Sequence, residues 1–320
     1  MTMRDLARLA NVSVSTVSKA FCGAEDIRED TRQQIFAIAK EQGCFGKFYK
    51  ERFHKKIIAI ICPELNGTYY SSYIERLQQI IEDHDGIALI STDHFRKGAQ
   101  AELIDYYASY LQVDGIFIIG LRDEPKRGYE IPIVSLLHGS SKFDTVFFDM
   151  DAAILDAVQT LQSLGHEKIA FIGEPLTKRK AFSFASAMHI SEDDPYIIEI
   201  QNRFEKAGEE GVKELLRRQI DCSAIICAYD NIAFGVIRQL KKQGYRVPED
   251  YSVVGIDNIT ASEHTETSLT TIDTQPDEIC MIAWDLMQKK QKSKYYRSCQ
   301  KIAVSGKLIL RESVIPNKKK

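Results

Sequence analysis

Apolar residues recur every three or four positions near the start of the chain, and this spacing predicts a series of short helices. Leu6 and Ala10 mark a first helix, and Val17 lies on a second helix that Ser13 can cap. Asn11 stands between them, and Asn adopts the left-handed backbone of a tight turn more readily than most residues other than glycine. The pattern predicts a helix-turn-helix, although a plain helical hairpin has the same period.

The second predicted helix turns a small, mostly polar set of side chains outward. Such side chains can enter the major groove of DNA and reach base edges and phosphates. The outward residues are Val14, Ser15, Thr16, Ser18 and Lys19. A third helix over 30–41 supplies an apolar stripe that closes a small core, and Gly43 ends it.

A basic and aromatic connector follows the three helices, and we expect a linker or hinge over 46–56. Phe45, Phe48 or Phe53 could enter a base step in the minor groove as a wedge. The alternative is a solvated linker whose aromatic rings pack on the following domain.

From Ile57 onward, short apolar runs alternate with longer amphipathic segments. This alternation predicts an α/β fold of two doubly wound parallel-sheet lobes behind the small helical head. The predicted strands are IIAIICP, IALIST, GIFIIG and IPIVSLL in the first lobe and KIAFIG, YIIEIQ, AIICAYD and YSVVGID in the second. Ligands of open parallel sheets bind outside the carboxyl ends of the strands, so the residues that follow the strands are candidate ligand contacts.

Acidic residues follow three strands, at Asp149, Asp230 and Asp257. A carboxylate can accept hydrogen bonds from the vicinal hydroxyls of a sugar, whereas the alternative for each residue is a helix N-cap. We favour capping for Asp230 and ligand contact for Asp257.

Composition narrows the function classes. With 320 residues, 44% hydrophobic and 27% charged, the chain fits a soluble protein of more than one domain. The net charge is -3, yet residues 1–56 hold eleven Lys or Arg against seven Asp or Glu, which places the basic end with the predicted helix-turn-helix. The seven scattered Cys lack zinc spacing, and the motifs of common nucleotide enzymes, zinc proteases and serine hydrolases are absent, so we expect neither metal nor catalysis. Without an apolar run long enough for a bilayer or a signal-peptide core, a cytoplasmic location is expected.

The opening segment TMRDLARLANVSVSTVSKAFCG resembles the N-terminal signature of the lac-repressor family of bacterial transcription regulators. The segments LGHEKIAFIG, RVPEDYSVVGID, LTTI and LILRES resemble later landmarks of that family, so the resemblance covers nearly the whole chain. It implies an effector domain like a periplasmic sugar-binding protein, with a cleft between its lobes and chain crossings near Ala157, Gln275 and the last strands.

The resemblance also implies roles in DNA binding. Val14, Ser15 and Lys19 match base-reading positions, and Ser13, Thr16 and Ser18 match phosphate-holding positions. Lys19 stands where most relatives have Arg, and Lys cannot make the two-pronged contact to guanine that Arg makes. We therefore expect an operator preference different from that of most relatives.

For the effector, Asp257 matches the acid that hydrogen-bonds the ligand in relatives, and Asp149 matches a second acidic landmark. Lys180 replaces the usual Arg; the alternative is an alignment shifted by one residue, in which Arg179 is that Arg. A cationic pair of Lys180 and Arg203 would tolerate phosphate or carboxylate. The other candidates, from the first contact loop and from strand ends of the second lobe, are Asn66, Tyr70, Arg203, Phe204, Tyr229 and Asp230.

These observations predict a regulator, most simply a repressor, with a head at 1–45, a linker at 46–56 and an effector and dimerisation domain at 57–320. Lobe 1 is expected over 57–157 and 276–298, and lobe 2 over 158–275 and part of 299–315. The expected partners are a near-palindromic double-stranded DNA operator, a second copy of the chain and a small-molecule effector, a carbohydrate or its derivative; no cofactor or membrane is expected. The alternative is a cytoplasmic sugar-binding receptor without direct DNA readout.

Overall fold

The computed structural model describes residues 1–50, 55–125, 127–292 and 298–317. These residues form two compact units, a helical head at the N-terminus and a larger unit that contains both sheets. None of the helices in these ranges is both long and apolar enough to cross a membrane.

The described helices of the head are α1 (Met3–Leu9), α2 (Val14–Cys22), α3 (Glu29–Glu41) and α4 (Phe45–Lys50). Ser13 caps α2, because its hydroxyl accepts a hydrogen bond of 3.0 Å from the amide of Thr16. Asn11 has a φ of 53°, the left-handed conformation expected of the turn. The predicted helix-turn-helix is therefore present.

The segment predicted as a linker begins with a helix of the head. The aromatic residues of α4 recur at helical spacing, and Phe48 is buried in the head core beside Leu6 and Phe21. Phe45 packs against the same core and stacks on Tyr49 with ring centroids 4.8 Å apart. Phe45 and Phe48 thus pack in the core of the head, and Phe53 lies outside the described residues.

Lobe 1 of the larger unit contains a sheet in the order β11-β5-β4-β3-β1-β2. Its strands are β1 (Ile57–Cys62), β2 (Ile87–Thr92), β3 (Gly115–Ile119), β4 (Ile133–Leu136), β5 (Asp144–Asp149) and β11 (Lys301–Ser305). Its helices are α5 (Thr68–Asp83), α6 (Ala99–Asp105), which continues as a π-helical turn over Tyr106–Leu111, and α12 (Pro276–Lys292). The near-continuous apolar runs β1 and β3 are buried, as expected for parallel strands covered on both faces.

Lobe 2 contains a second sheet in the order β12-β10-β9-β8-β6-β7, parallel except that β12 runs antiparallel to β10. Its strands are β6 (Ile169–Gly173), β7 (Ile197–Glu199), β8 (Ala224–Cys227), β9 (Ser252–Ile256), β10 (Thr270–Asp273) and β12 (Lys307–Ile309). Its helices are α7 (Met150–Ser163), α8 (Lys178–Met188), α9 (Phe204–Arg217), α10 (Asp230–Lys242) and α11 (Ala261–His264). The α/β architecture of two parallel-sheet lobes confirms the predicted fold class.

The chain passes between the lobes at three described places. The first passage, predicted near Ala157, lies at Asp149–Met150, because Asp149 caps α7 directly and α7 packs on α8 of lobe 2. The second lies between β10 and α12, at the predicted Gln275. The third is Gly306, between β11 and β12. Three backbone segments therefore connect the two lobes.

Helices α9 and α10 of lobe 2 touch through their backbones. A Cβ atom at Gly208 would lie 2.1 Å from the carbonyl oxygen of Ile232, and one at Gly235 would lie 1.9 Å from that of Glu205. Only glycine at both positions permits this approach. The contact fixes the spacing of the first turns of the two helices, which border the cleft.

Candidate functional site

The outward face of α2 is the candidate DNA-binding surface. Val17 and Ala20 are buried in the head, whereas all six residues predicted to contact DNA keep exposed surface. Those six are Ser13, Val14, Ser15, Thr16, Ser18 and Lys19. The fold therefore presents the predicted set together on one side of one helix.

Lys19, a predicted base-reading residue, forms an ion pair with Asp26 in the turn after α2. The hydrogen bond from Lys19 lowers the pKa of the Asp26 carboxyl. Both side chains are about half exposed, with relative exposures of 49% and 61%, so solvent screens the attraction and leaves Lys19 able to exchange partners. Asp26 was not among the residues that the sequence pattern singled out.

The candidate effector site is a cleft of about 620 Å³ between lobes 1 and 2 of the larger unit. Its walls are the segments that follow the carboxyl ends of the strands, as expected of open parallel sheets. Seven of the nine predicted effector residues line it, namely Asn66, Tyr70, Lys180, Arg203, Phe204, Tyr229 and Asp257.

Asp149 and Asp230 are not among the lining residues. Asp149 caps α7 by accepting a hydrogen bond from the Ala152 amide at 3.1 Å. Asp230 is buried in lobe 2 and accepts hydrogen bonds from the Ile259 amide and from the hydroxyls of Ser262 and Thr271. Burial nonetheless raises the pKa of Asp230 to about 6. Asp149 is therefore a helix cap at the passage between the lobes, and Asp230 is a buried hydrogen-bond acceptor of lobe 2 rather than a helix cap.

Asp257 and Lys180 form the polar floor of the cleft. The Nζ atom of Lys180 lies 3.5 Å from Oδ1 of Asp257 and donates a hydrogen bond of 2.7 Å to the carbonyl oxygen of Ala228. Asp257 is nearly buried, and its Oδ1 atom has no hydrogen-bond partner among the described residues. Burial raises the pKa of Asp257 to about 7, although the nearby ammonium group opposes the rise.

Four lining residues of this cleft other than glycine have a positive φ, namely Phe95, Leu137, Phe204 and Asp257. Asp257 has a φ of 113° and Phe204 a φ of 55°, conformations that are unfavourable for residues with a side chain. Their amides are held in place, since that of Asp257 donates to the carbonyl oxygen of Ile272 and that of Phe204 donates to the hydroxyl of Tyr229. Strained residues that the surrounding structure holds in place are typical of ligand sites.

A second polar group spans the cleft. The guanidinium of Arg203, in lobe 2, donates two hydrogen bonds of 2.7 and 3.1 Å to the carboxylate of Glu64, in lobe 1. Its Nε atom also lies 3.5 Å from Glu174, a buried acid of lobe 2. The Tyr229 hydroxyl donates a hydrogen bond of 3.0 Å to Glu174, whose pKa burial raises. We name Glu64, Arg203, Glu174 and Tyr229 the cleft clasp.

Aromatic rings form the apolar walls of the cleft. Tyr70 and Phe95 in lobe 1 meet edge to face at 6.4 Å, and Phe204 and Tyr229 in lobe 2 do so at 6.1 Å. The guanidinium of Arg122 lies 5.0 Å from the centre of the Phe95 ring and makes a cation–π contact with it. Such rings can lie against the apolar face of a sugar while polar groups bind its hydroxyls.

Several residues that line the cleft were not predicted from the sequence, among them Glu64, Glu174 and Phe95. Glu174 directly follows β6, and Glu64 lies two residues after β1, so the strand-end criterion that selected Asp257 applied to both. His138, near the end of β4, also lines the cleft, and burial lowers its pKa. Phe95 carried no comparable signal, because it lies in a loop with a left-handed backbone.

Comparison with known proteins agrees with this architecture. Residues 2–43 match the model of bacterial regulatory proteins of the lacI family, and residues 158–314 match that of a periplasmic binding protein-like domain. The chain belongs to the lacI family. This regulator is 28% identical to the transcriptional repressor CytR of Escherichia coli K12 over 330 residues, 98% of this chain and 96% of the relative.

Further relatives lead to the same assignment. The lacI-family regulator is 26% identical to the ribose operon repressor of Haemophilus influenzae, over 98% of each chain. Its fold matches that of a lac repressor dimer bound to operator and an anti-inducer, with a TM-score of 0.75, 19% identity and coverage of 98% and 99%. The chain is a DNA-binding transcription regulator and not an enzyme, which confirms the function class predicted from the sequence.

Proposed function

We propose that this lacI-family regulator represses transcription by binding a near-palindromic operator as a homodimer in the bacterial cytoplasm, and that a small polyhydroxylated molecule between its lobes controls the binding. The effector would be a sugar or a sugar derivative. The observation that carries the effector assignment is Asp257, a nearly buried carboxylate at the floor of the cleft with one oxygen that lacks a hydrogen bond.

The DNA-binding part rests on the face of α2. Val14, Ser15 and Lys19 would contact bases, and the hydroxyls of Ser13, Thr16 and Ser18 would contact phosphates. A single head buries little surface, so two heads on symmetric half-sites would supply the specificity that one lacks. The operator-bound lac repressor dimer among the structures of the same fold supports this arrangement.

The effector part rests on the chemistry of the cleft. A sugar hydroxyl that donates to Oδ1 of Asp257 would replace water and satisfy a buried acceptor. The rings of Tyr70 and Phe204 come from different lobes, so a ligand that touches both favours the closed state over the open one. Two structures of similar fold were solved with cellobiose and with ribose.

The test measures coupling between ligand and DNA. A thermal-melting screen of sugars first identifies a stabilising ligand, and gel mobility shifts with the gene's own upstream DNA then measure its effect on operator affinity. Asp257→Ala should lose about 1–3 kcal/mol of ligand affinity, keep its operator affinity without ligand, and lose the ligand's effect on DNA.

Asp193→Ala, which removes an exposed acid from the same lobe, is the matched control and should respond like the wild type. If Asp257→Ala still responds normally to the identified ligand, the proposed site is wrong. Absence of any shift with upstream DNA would favour the receptor without DNA readout.

A further inference from the structure

The cations that face the inner cleft are already paired with acids. Lys180 lies beside Asp257, and Arg203 binds Glu64 and Glu174. These three acids outnumber the two cations. His138 adds no positive charge near neutral pH, because burial lowers its pKa. Lys180 and Arg203 therefore each already have an acidic partner.

The cations at the rim of the cleft are either paired with an acid or exposed to solvent. Arg179 is paired with Asp151, and both side chains are more than half exposed. Lys301 is exposed to solvent. Solvent screening weakens the attraction that such groups exert on a charge inside the cleft. An anion that enters the inner cleft would therefore meet carboxylates and cations that are already paired with each other.

The pairing of Arg203 is geometrically complete on its lobe 1 side. Two nitrogen atoms of the guanidinium bind the two oxygens of Glu64, the fork-to-fork arrangement that Arg would otherwise use for phosphate or carboxylate ligands. Glu174 is held in turn by the Tyr229 hydroxyl and is only 3% exposed, so it cannot turn away into solvent. A phosphate would have to displace Glu64 and leave that carboxylate without its partner.

We propose that the cleft clasp makes this regulator select uncharged polyhydroxylated effectors and reject phosphorylated or carboxylated ones, with Glu64 and Glu174 as the specificity-determining residues. This inference rests on the proposed effector function of the cleft. It replaces the expectation that Lys180 and Arg203 would tolerate phosphate, because neither side chain is free. An uncharged ligand can still use the Asp257 carboxylate, which accepts hydroxyl donors, neutral polar groups such as Asn66, and the aromatic walls.

The test removes the acids and measures anion binding by isothermal titration calorimetry. The probes are inorganic phosphate, ribose and ribose 5-phosphate, at constant ionic strength. Glu64→Gln and the double variant Glu64→Gln/Glu174→Gln keep side-chain size and free the guanidinium of Arg203. The matched control is Glu192→Gln, which neutralises an exposed acid of lobe 2.

The double variant should bind inorganic phosphate about tenfold more tightly than the wild type, because Arg203 regains charge-assisted donors, and Glu64→Gln should show part of that gain. Glu192→Gln should match the wild type. Circular dichroism verifies that each variant is folded; if the double variant is not, Glu64→Gln carries the comparison.

The inference is overturned if wild-type protein binds ribose 5-phosphate more tightly than ribose, or if the folded variants bind phosphate no better than the wild type. These outcomes differ from failure of the proposed function. That function fails when no cleft ligand changes operator affinity, whereas the phosphate titrations measure the charge preference of the cleft without DNA.

Discussion

At the scale of single residues, the ion pair between Lys19 and Asp26 leads to a prediction about DNA affinity. Lys19→Ala should weaken operator binding by about 1–3 kcal/mol, because a donor to base edges is lost. Asp26→Asn should strengthen binding, because it removes the carboxylate that competes with DNA for Lys19. Fluorescence anisotropy at physiological salt measures both effects. Lys289→Ala, which removes a charge from the effector domain, should leave the affinity unchanged; the same result for Lys19→Ala would remove Lys19 from the interface.

A second prediction at this scale concerns pH and Asp257. Its pKa in the folded protein, about 7, lies above the usual value of 3.8 for an Asp side chain, so the folded state binds more protons than the unfolded state between these values. The contribution of Asp257 to the free energy of unfolding therefore falls as the pH rises from about 4 to 7 and levels off above 7. Asp257→Asn mimics the protonated group and should be more stable than the wild type by about 4 kcal/mol at pH 8, with little difference at pH 4.

Urea unfolding of the ligand-free protein across this pH range measures the difference. Asp193→Asn is the control, since it removes an exposed carboxyl of the same lobe. A stability difference between Asp257→Asn and the wild type that does not change with pH would contradict a buried carboxyl with a raised pKa.

At the scale of helices and strands, the close crossing of α9 and α10 gives a prediction about stability. Gly208→Ala would place a methyl group against the backbone of α10, with the carbonyl oxygen of Ile232 at 2.1 Å, so the two helices must separate. Overpacking of this kind should lower the free energy of unfolding by about 1–3 kcal/mol. Gly128→Ala is the control, because nothing lies within 4 Å of its added Cβ atom. Equal urea midpoints for the two variants would show that the crossing is not tight.

Some helices and contacts could be predicted from the sequence, and others could not. Helix α9 is one of the amphipathic segments that the sequence pattern predicts, because its apolar positions repeat with helical spacing and one face is buried. The start of α4 was missed because a basic aromatic segment lacks the contrast between polar and apolar faces that defines a helix. The pairing of Glu64 with Arg203 could not be predicted, since these residues are 139 positions apart and meet only where two lobes face each other.

At the scale of the whole molecule, we predict a dimer at micromolar concentration. A single head carries one recognition helix, and a two-fold operator requires two. Sedimentation equilibrium should give about twice the chain mass of 36.4 kDa, with or without DNA. A species of 36.4 kDa under both conditions would exclude the dimer.

The backbone contact between Gly208 and Gly235 also bears on the engineering of new biosensors from this chain. Phe204 begins α9 and Tyr229 immediately precedes α10, so both rings stand on a pair of helices whose separation depends on glycine and not on the rings themselves. Library mutagenesis at Phe204 and Tyr229 can therefore vary the shape of the cleft while the spacing of α9 and α10 is kept. If Gly208 and Gly235 were randomised instead, most library members would be expected to misfold.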